Sequence, residues 1–212
     1  TVHFHTGIHC SLSHRNRLFT FSGIFTCHLD TFGEKQIDVI HDLSVEGLIL
    51  TNEKSILGAD DKAGMSIMLY MIKHNIPGVY YFFIGEELGG LGSYRISKYD
   101  PDYFNKFQRM ISFDRRGVSD IITYQRGERT CSDSFADALA SSLNIFGFYY
   151  SKFPGGSFTD SYNFKDLIPE CTNISVGYYD QHTVTESQNI NHLEKLAEAC
   201  VLIHWERLPT LR

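Results

Sequence analysis

The sequence predicts an α/β protein, a three-layer α/β/α sandwich built on a central mixed, mostly parallel sheet. Three observations predict it. Short runs rich in β-branched and aromatic residues, at 79–84, 110–113 and 174–178, have the pattern of strands covered on both faces. Segments with helical spacing, at 65–72, 133–144 and 190–207, alternate with those runs. No internal repeat or low-complexity segment interrupts the alternation.

Taken in order, residues 1–17 hold His3, His5, His9, Cys10 and His14. Nothing acidic lies beside them, so they read as solvated surface rather than as a metal site. Residues 18–27 are apolar with Gly23 near the middle, a long buried strand that delivers His28-Leu29-Asp30 at its end. The polar, turn-rich interval 31–55 reads as a hairpin or a pair of edge strands, with candidates at 37–40 and 48–51. Residues 65–72 are apolar nearly all round, as in a helix buried between sheet and neighbours, and Asn75 and Pro77 mark its end. Strands follow at 79–84, at 110–114, which closes on Asp114, and at 121–124. The helix at 133–144 carries Phe135, Ala138, Leu139 and Leu143 on one face, with Ser132 or Asp133 as its cap. Residues 155–161 read as a loop turning into a short helical segment. After the strand at 174–178, the last helix aligns Leu193, Leu196, Ala197, Cys200 and Val201.

A chain of 212 residues that is 42% apolar reads as one soluble globular domain spanning 1–212. A formal charge of -6 and the lack of a long Lys/Arg run argue against nucleic acid or an anionic membrane as partner. No apolar run approaches membrane-spanning length. The N-terminus lacks a signal pattern, and Thr1 is what removal of an initiator Met leaves, so a cytoplasmic location is expected. Five scattered cysteines without a CxxC pair give neither a disulfide framework nor a cysteine-built zinc site. The oligomeric state stays open.

The chemistry sits at strand ends and helix starts: His28 and Asp30, Asp60 and Asp61, Glu86 and Glu87, Asp114, and the late His182. Two imidazoles and several carboxylates from separate elements are the ligand set of a pair of divalent ions, zinc first and cobalt or manganese next. Without cations such carboxylates would repel and raise one another's pKa values. Each acidic pair alone has a plainer reading, as a helix cap or a solvated turn.

His28-x-Asp30, Gly58-x-Asp60-Asp61-Lys62-x-Gly64, Gly85-Glu86-Glu87-x-Gly89, Asp114 after a strand and a late His182 resemble, in type and order, the co-catalytic zinc exopeptidases. That superfamily includes peptidase T and the zinc aminopeptidases, and the run 57–64 looks most like peptidase T. The resemblance implies that Asp60 bridges two metals. It implies that His28 and Asp114 complete one site, Glu87 and His182 the other. Glu86 matches the general base and Asp30 the carboxylate that orients His28, with Asp61 left as a helix cap. The implied function is an aminopeptidase hydrolysing short peptides through a metal-bridging hydroxide. Two alternatives are a metal-dependent deacylase of N-acyl amino acids and a non-catalytic binding module on the same fold.

Many relatives of peptidase T insert a lid domain between the positions matching Asp114 and His182. Here that interval is occupied by a strand, a helix and a loop. Arg115 and Arg116 follow Asp114; they would bind a substrate carboxylate or pair with Asp120 and Glu128. Asp160, in a segment resembling the family's Gly-Gly-Thr-Asp, and Glu186 would touch substrate or brace loops.

Overall fold

A computed structural model describes residues 7–12, 23–33, 47–51 and 55–212, and of residues 7–12 the backbone alone. His3, His5, His14, residues 18–22 of the first predicted strand and the candidate strand at 37–40 lie outside the described residues.

The first half of the chain contributes β1 (Gly7–Leu12), β2 (Gly23–His28), β3 (Leu48–Leu50), α1 (Ala59–Lys73), β4 (Gly78–Phe83), α2 (Leu91–Tyr99) and α3 (Pro101–Phe104). The second half adds β5 (Arg109–Arg115), β6 (Asp120–Ile122), the hairpin of β7 (Tyr124–Gln125) and β8 (Glu128–Arg129), α4 (Asp133–Asn144) and β9 (Ser151–Phe153). A 3-10 turn at Asp160–Phe164 leads to β10 (Glu170–Ser175), β11 (Tyr178–Tyr179), β12 (Ser187–Asn189) and α5 (Ile190–Leu202).

Seven strands form the central sheet in the order β1-β4-β2-β5-β10-β6-β9. The inner four, β4, β2, β5 and β10, run parallel, while β1 and β6 pair antiparallel with their neighbours β4 and β10. The fold is therefore the mixed, mostly parallel α/β sandwich that the sequence predicts. Alternation along the strands divides the core. Phe25, Cys27, Tyr80, Phe82, Ile111 and Phe113 face α1, α4 and α5. Ile24, Val79, Tyr81, Phe83 and Met110 face the other layer, with Phe104 and Phe164. Ser132 caps α4, its hydroxyl accepting from the Phe135 N–H at 3.1 Å.

Four boundaries differ from the sequence expectation. The strand read at 174–178 is β10, which starts four residues earlier, because its first half is polar (Glu170, Thr172, Asn173) and carries no apolar run. It breaks at Gly177, whose φ of 96° ends the extended chain before β11. The strand read at 121–124 splits between β6 and the β7–β8 hairpin. The last helix ends at Leu202, and a separate 3-10 turn, Trp205–Arg207, follows. Helix α2 was not expected at all: its buried face is Gly92, Ser93 and Ser97, small residues that leave no apolar stripe. No helix among the described residues is long and apolar enough to cross a membrane.

Candidate active site

The parallel strands deliver His28 at the end of β2, Glu86 and Glu87 just after β4, and Asp114 near the end of β5 to one edge of the sheet. There the side chains converge. His28 Nε2 lies 2.9 Å from Asp60 Oδ1 and 3.6 Å from Asp114 Oδ1. The second oxygen of Asp60, Oδ2, lies 3.2 Å from His182 Nε2, which is 2.8 Å from Glu87 Oε1. Asp60 thus faces two histidines with its two oxygens. In the triads His28/Asp60/Asp114 and Asp60/Glu87/His182, the ligand atoms all lie within 4.8 Å of one another.

Local backbone explains how the acidic turns reach this edge. Gly58 adopts a φ of 71°, and α1 takes regular helical angles only after Asp61, the Asp60–Asp61 peptide being cis. Asp61 Oδ1 accepts from the Gly64 N–H at 3.0 Å, as a helix cap does, while Oδ2 accepts from the His28 N–H at 3.2 Å. A side chain at Gly64 would put its Cβ 2.0 Å from the Phe113 carbonyl oxygen, so only glycine lets α1 approach β5 this closely. His182 also has a left-handed φ, 65°, and its ring stacks on Phe32 with centroids 4.4 Å apart.

Asp30 contacts His28 differently from the sequence expectation. The nearest partner of His28 Nδ1 is the Asp30 backbone carbonyl at 2.9 Å; the carboxylate is 3.6 Å away. Donation from Nδ1–H to that carbonyl leaves Nε2 as the nitrogen turned to Asp60 and available to a cation. The Asp30 carboxylate instead accepts from the backbone N–H groups of Gly85, Glu86 and Glu87 at 2.9, 3.2 and 3.1 Å. Glu186 does the same for the other acidic turn, accepting from Leu57, Gly58 and Asp60 N–H at 2.8, 2.8 and 3.0 Å. Of its two sequence readings, bracing is the one seen. Asn173 and Tyr178 went unnoticed in the sequence. The Asn173 side chain bonds both the N–H and the C=O of Asp114 at 2.9 Å, and the Tyr178 hydroxyl donates to the Asp114 carbonyl at 3.1 Å. Neither sits in a motif; the register of β10 with β5 brings Asn173 to Asp114, and the turn after β10 brings Tyr178.

The electrostatics are those of crowded, buried acid. Burial and then the charge of Asp114 push Glu86 up to about 10. Burial and then the charge of Asp60 raise Asp114 and Glu87, and burial and then Asp114 raise Asp61 well above the usual carboxylate range. Two acids go the other way. Against the upward push of burial, His28 and the N–H groups of Glu87 and Glu86 hold Asp30 at about 2, and His182 and His28 hold Asp60 low. Hydrogen bonds to Asp114, Asp30 and Asp60 carry His28 well above its ordinary value although burial pushes it down. Protons thus stand where cations would relieve the repulsion. Two imidazole nitrogens and three carboxylates, one of which, Asp60, has an oxygen toward each triad, fit a pair of divalent ions.

The cluster opens into a cleft of about 260 Å³ whose lining includes Asp60, Glu86, Glu87, Asp114, Arg115 and Arg116 together with Ile122, Gly156 and Phe158. Arg115 pairs with Asp120, as one sequence reading has it; Glu128 pairs instead with Lys165. Asp160 does not line the cleft. It is 1% exposed, with Oδ1 unpartnered among the described residues, and burial pushes its carboxyl up to about 7.

The fold is similar to that of several solved peptidases. Aminopeptidase PepT from Bacillus cereus is 17% identical, the match covering 95% of this chain and 84% of that one at a TM-score of 0.74. A tripeptidase from Staphylococcus aureus is 16% identical over 92% of this chain and 82% of its own, at 0.72. BSAP, a zinc aminopeptidase from Bacillus subtilis, is 17% identical at 0.62, and this chain spans 47% of its length. At such identities the likeness establishes the fold. No protein-family model matches the sequence, and no curated protein does.

Proposed function

We propose that the chain is a dinuclear metal-dependent exopeptidase, an aminopeptidase acting on short peptides. The observation that carries this reading is Asp60, whose two oxygens address His28 and His182 at 2.9 and 3.2 Å. In this reading His28, Asp60 and Asp114 hold one ion, and Asp60, Glu87 and His182 the other. Zinc is the first candidate, with cobalt or manganese next. Bound there, the ions would supply Lewis acidity to the scissile carbonyl and make water acidic enough to attack at neutral pH. The names of the similar structures, an aminopeptidase, a tripeptidase and a zinc aminopeptidase, support the substrate class.

The chain's own residues do the rest. Glu86 lines the cleft beside both triads without belonging to either. It takes the proton of the attacking water and passes it to the leaving amine. Asp30 keeps Glu86 in place through the backbone of its turn, and its carbonyl fixes the His28 tautomer. The carboxylates of the cleft suit a substrate's ammonium group. Replacement of Glu86 by glutamine tests the assignment. Glu86→Gln is expected to bind both metals, by elemental analysis, and to lose turnover by about 10²–10⁴-fold. Near-normal turnover would remove Glu86 from the mechanism.

Arginines on the cleft wall also suit an N-acyl amino acid, the second reading. Comparing hydrolysis of aminoacyl-arylamides with that of N-acyl amino acids by the zinc-, cobalt- or manganese-loaded protein separates the two. Substoichiometric metal after reconstitution would favour a binding module instead.

A further inference from the structure

Arg115 and Arg116 leave the end of β5 together, but the structure separates them. The Arg115 guanidinium is committed: Nε and Nη2 donate to Asp120 Oδ2 at 3.0 and 2.9 Å, and the group lies 5.6 Å over the Phe153 ring. Its side chain is only 15% exposed. Arg116 also lines the cleft and is exposed, yet no ion pair joins it to any described residue. Its backbone is fixed. The Ser175 hydroxyl donates to the Arg116 carbonyl at 2.7 Å and accepts from the Asp120 N–H at 3.1 Å, so the side chain is presented from a rigid base.

The cleft therefore has two charge poles. Asp60, Glu86, Glu87 and Asp114 make the negative one, and Arg116, paired with none of them, the positive one. Ile122 and Phe158 supply apolar wall in the same cleft. A guanidinium that lines the same cleft as four carboxylates and pairs with no described residue is open to a partner from outside, and its planar fork matches a carboxylate. The cleft, about 260 Å³, is a little smaller than the usual range of ligand sites, about 300–1,000 Å³, and so suits a small ligand. A short peptide with both termini charged meets these demands: its ammonium end suits the acidic pole and its carboxylate the guanidinium.

We propose that Arg116 receives the C-terminal carboxylate of the substrate, which confines the chain to short peptides with a free C-terminus. This rests on the exopeptidase reading above. The test compares trialanine with trialanine amide on the metal-loaded full chain. The free acid is expected to have a kcat/KM at least about tenfold higher, through KM, as a charge-assisted pair provides. Arg116→Gln is expected to bring the acid close to the amide. Arg116→Glu is expected to reverse the preference toward a peptide ending in a cationic aminoethylamide. Arg115→Gln is expected to leave the acid-to-amide ratio as it was. Equal rates on acid and amide in the parent chain, or a preference that survives in Arg116→Gln, would overturn the proposal. Calorimetric titration with the reduced-bond analogues of the same acid and amide reads the discrimination without turnover. If no peptide is cleaved but the acid analogue binds tighter in an Arg116-dependent way, the peptidase reading fails and the carboxylate site stands.

Discussion

The two ends of β5 and β10 carry charge of opposite character. At their starts, Arg109 and Glu170 are buried and held by several hydrogen bonds each. Arg109 donates to the carbonyls of Trp205 and Leu208 at 2.8 Å and to the Thr210 hydroxyl at 3.1 Å. Glu170 accepts from the Ser132 N–H and hydroxyl at 2.7 and 2.8 Å and from the N–H groups of Leu211 and Arg212 at 2.8 and 3.1 Å. At the opposite ends, carboxylates face other carboxylates, and burial with mutual repulsion raises Asp114, Asp61 and Glu86. One end ties the C-terminal segment to the sheet; the other stores electrostatic repulsion that bound cations would release. Buried charge is stabilising only where every lone pair and proton is answered.

Mutations at the two ends should therefore separate activity from stability. The largest effect is expected from Asp114→Asn, which should reduce kcat/KM by more than about 100-fold in a peptidase assay with added zinc. In the metal-free protein the same change should leave the melting temperature unchanged or raise it, since it removes one of the crowded charges. A large drop in melting temperature would show that Asp114 is a structural carboxylate. At the hydrogen-bonded end, Glu170→Ala strands several part-buried donors and should lower unfolding free energy by about 3 kcal/mol in urea titrations. Activity per folded molecule should stay within about twofold, a margin well below the tenfold that 1.4 kcal/mol represents.

A smaller effect should appear in pH. Glu86 at about 10 and the raised His28 keep protons in the folded chain that the unfolded chain has lost. With fewer protons on the unfolded state, stability falls as pH rises. His192, which burial depresses to about 4, acts oppositely, adding stability as pH climbs from 4 toward its ordinary value near 6.5. Between about pH 6.5 and 8, below the range where the raised buried thiols and phenols contribute, the site and Asp160 remain, so metal-free stability should decline across that window by at least about 1 kcal/mol. Saturating zinc should flatten the decline, and a decline unaltered by zinc would place its origin elsewhere.

Much of the site is legible in the sequence because its residues sit where periodicity breaks. His28, Asp114 and the Glu86–Glu87 pair end or follow apolar runs, and glycines flank Asp60 and Glu87 where the chain must turn sharply. The bracing is not legible. Asp30 and Glu186 accept from backbone N–H groups 55 and 126 or more residues away, contacts that depend on topology and leave no local pattern. Asn173 likewise reaches Asp114 only through the parallel register of β10 with β5. Helix α2 was invisible because it buries glycine and serine rather than a hydrophobic stripe.

The bracing contacts also close on themselves. Asp30, beside His28, holds the turn of Glu86 and Glu87; Glu87 bonds His182; Glu186, beyond His182, holds the turn of Asp60; and Asp61 holds the His28 N–H. Four loops from distant parts of the chain thus form a ring with no free end. Such a ring has no weakest loop to fray alone: opening any member releases its neighbours. The amides of residues 28, 58, 60, 86 and 87 then belong to one cooperative unit, exchanging hydrogen with a common opening free energy instead of loop by loop.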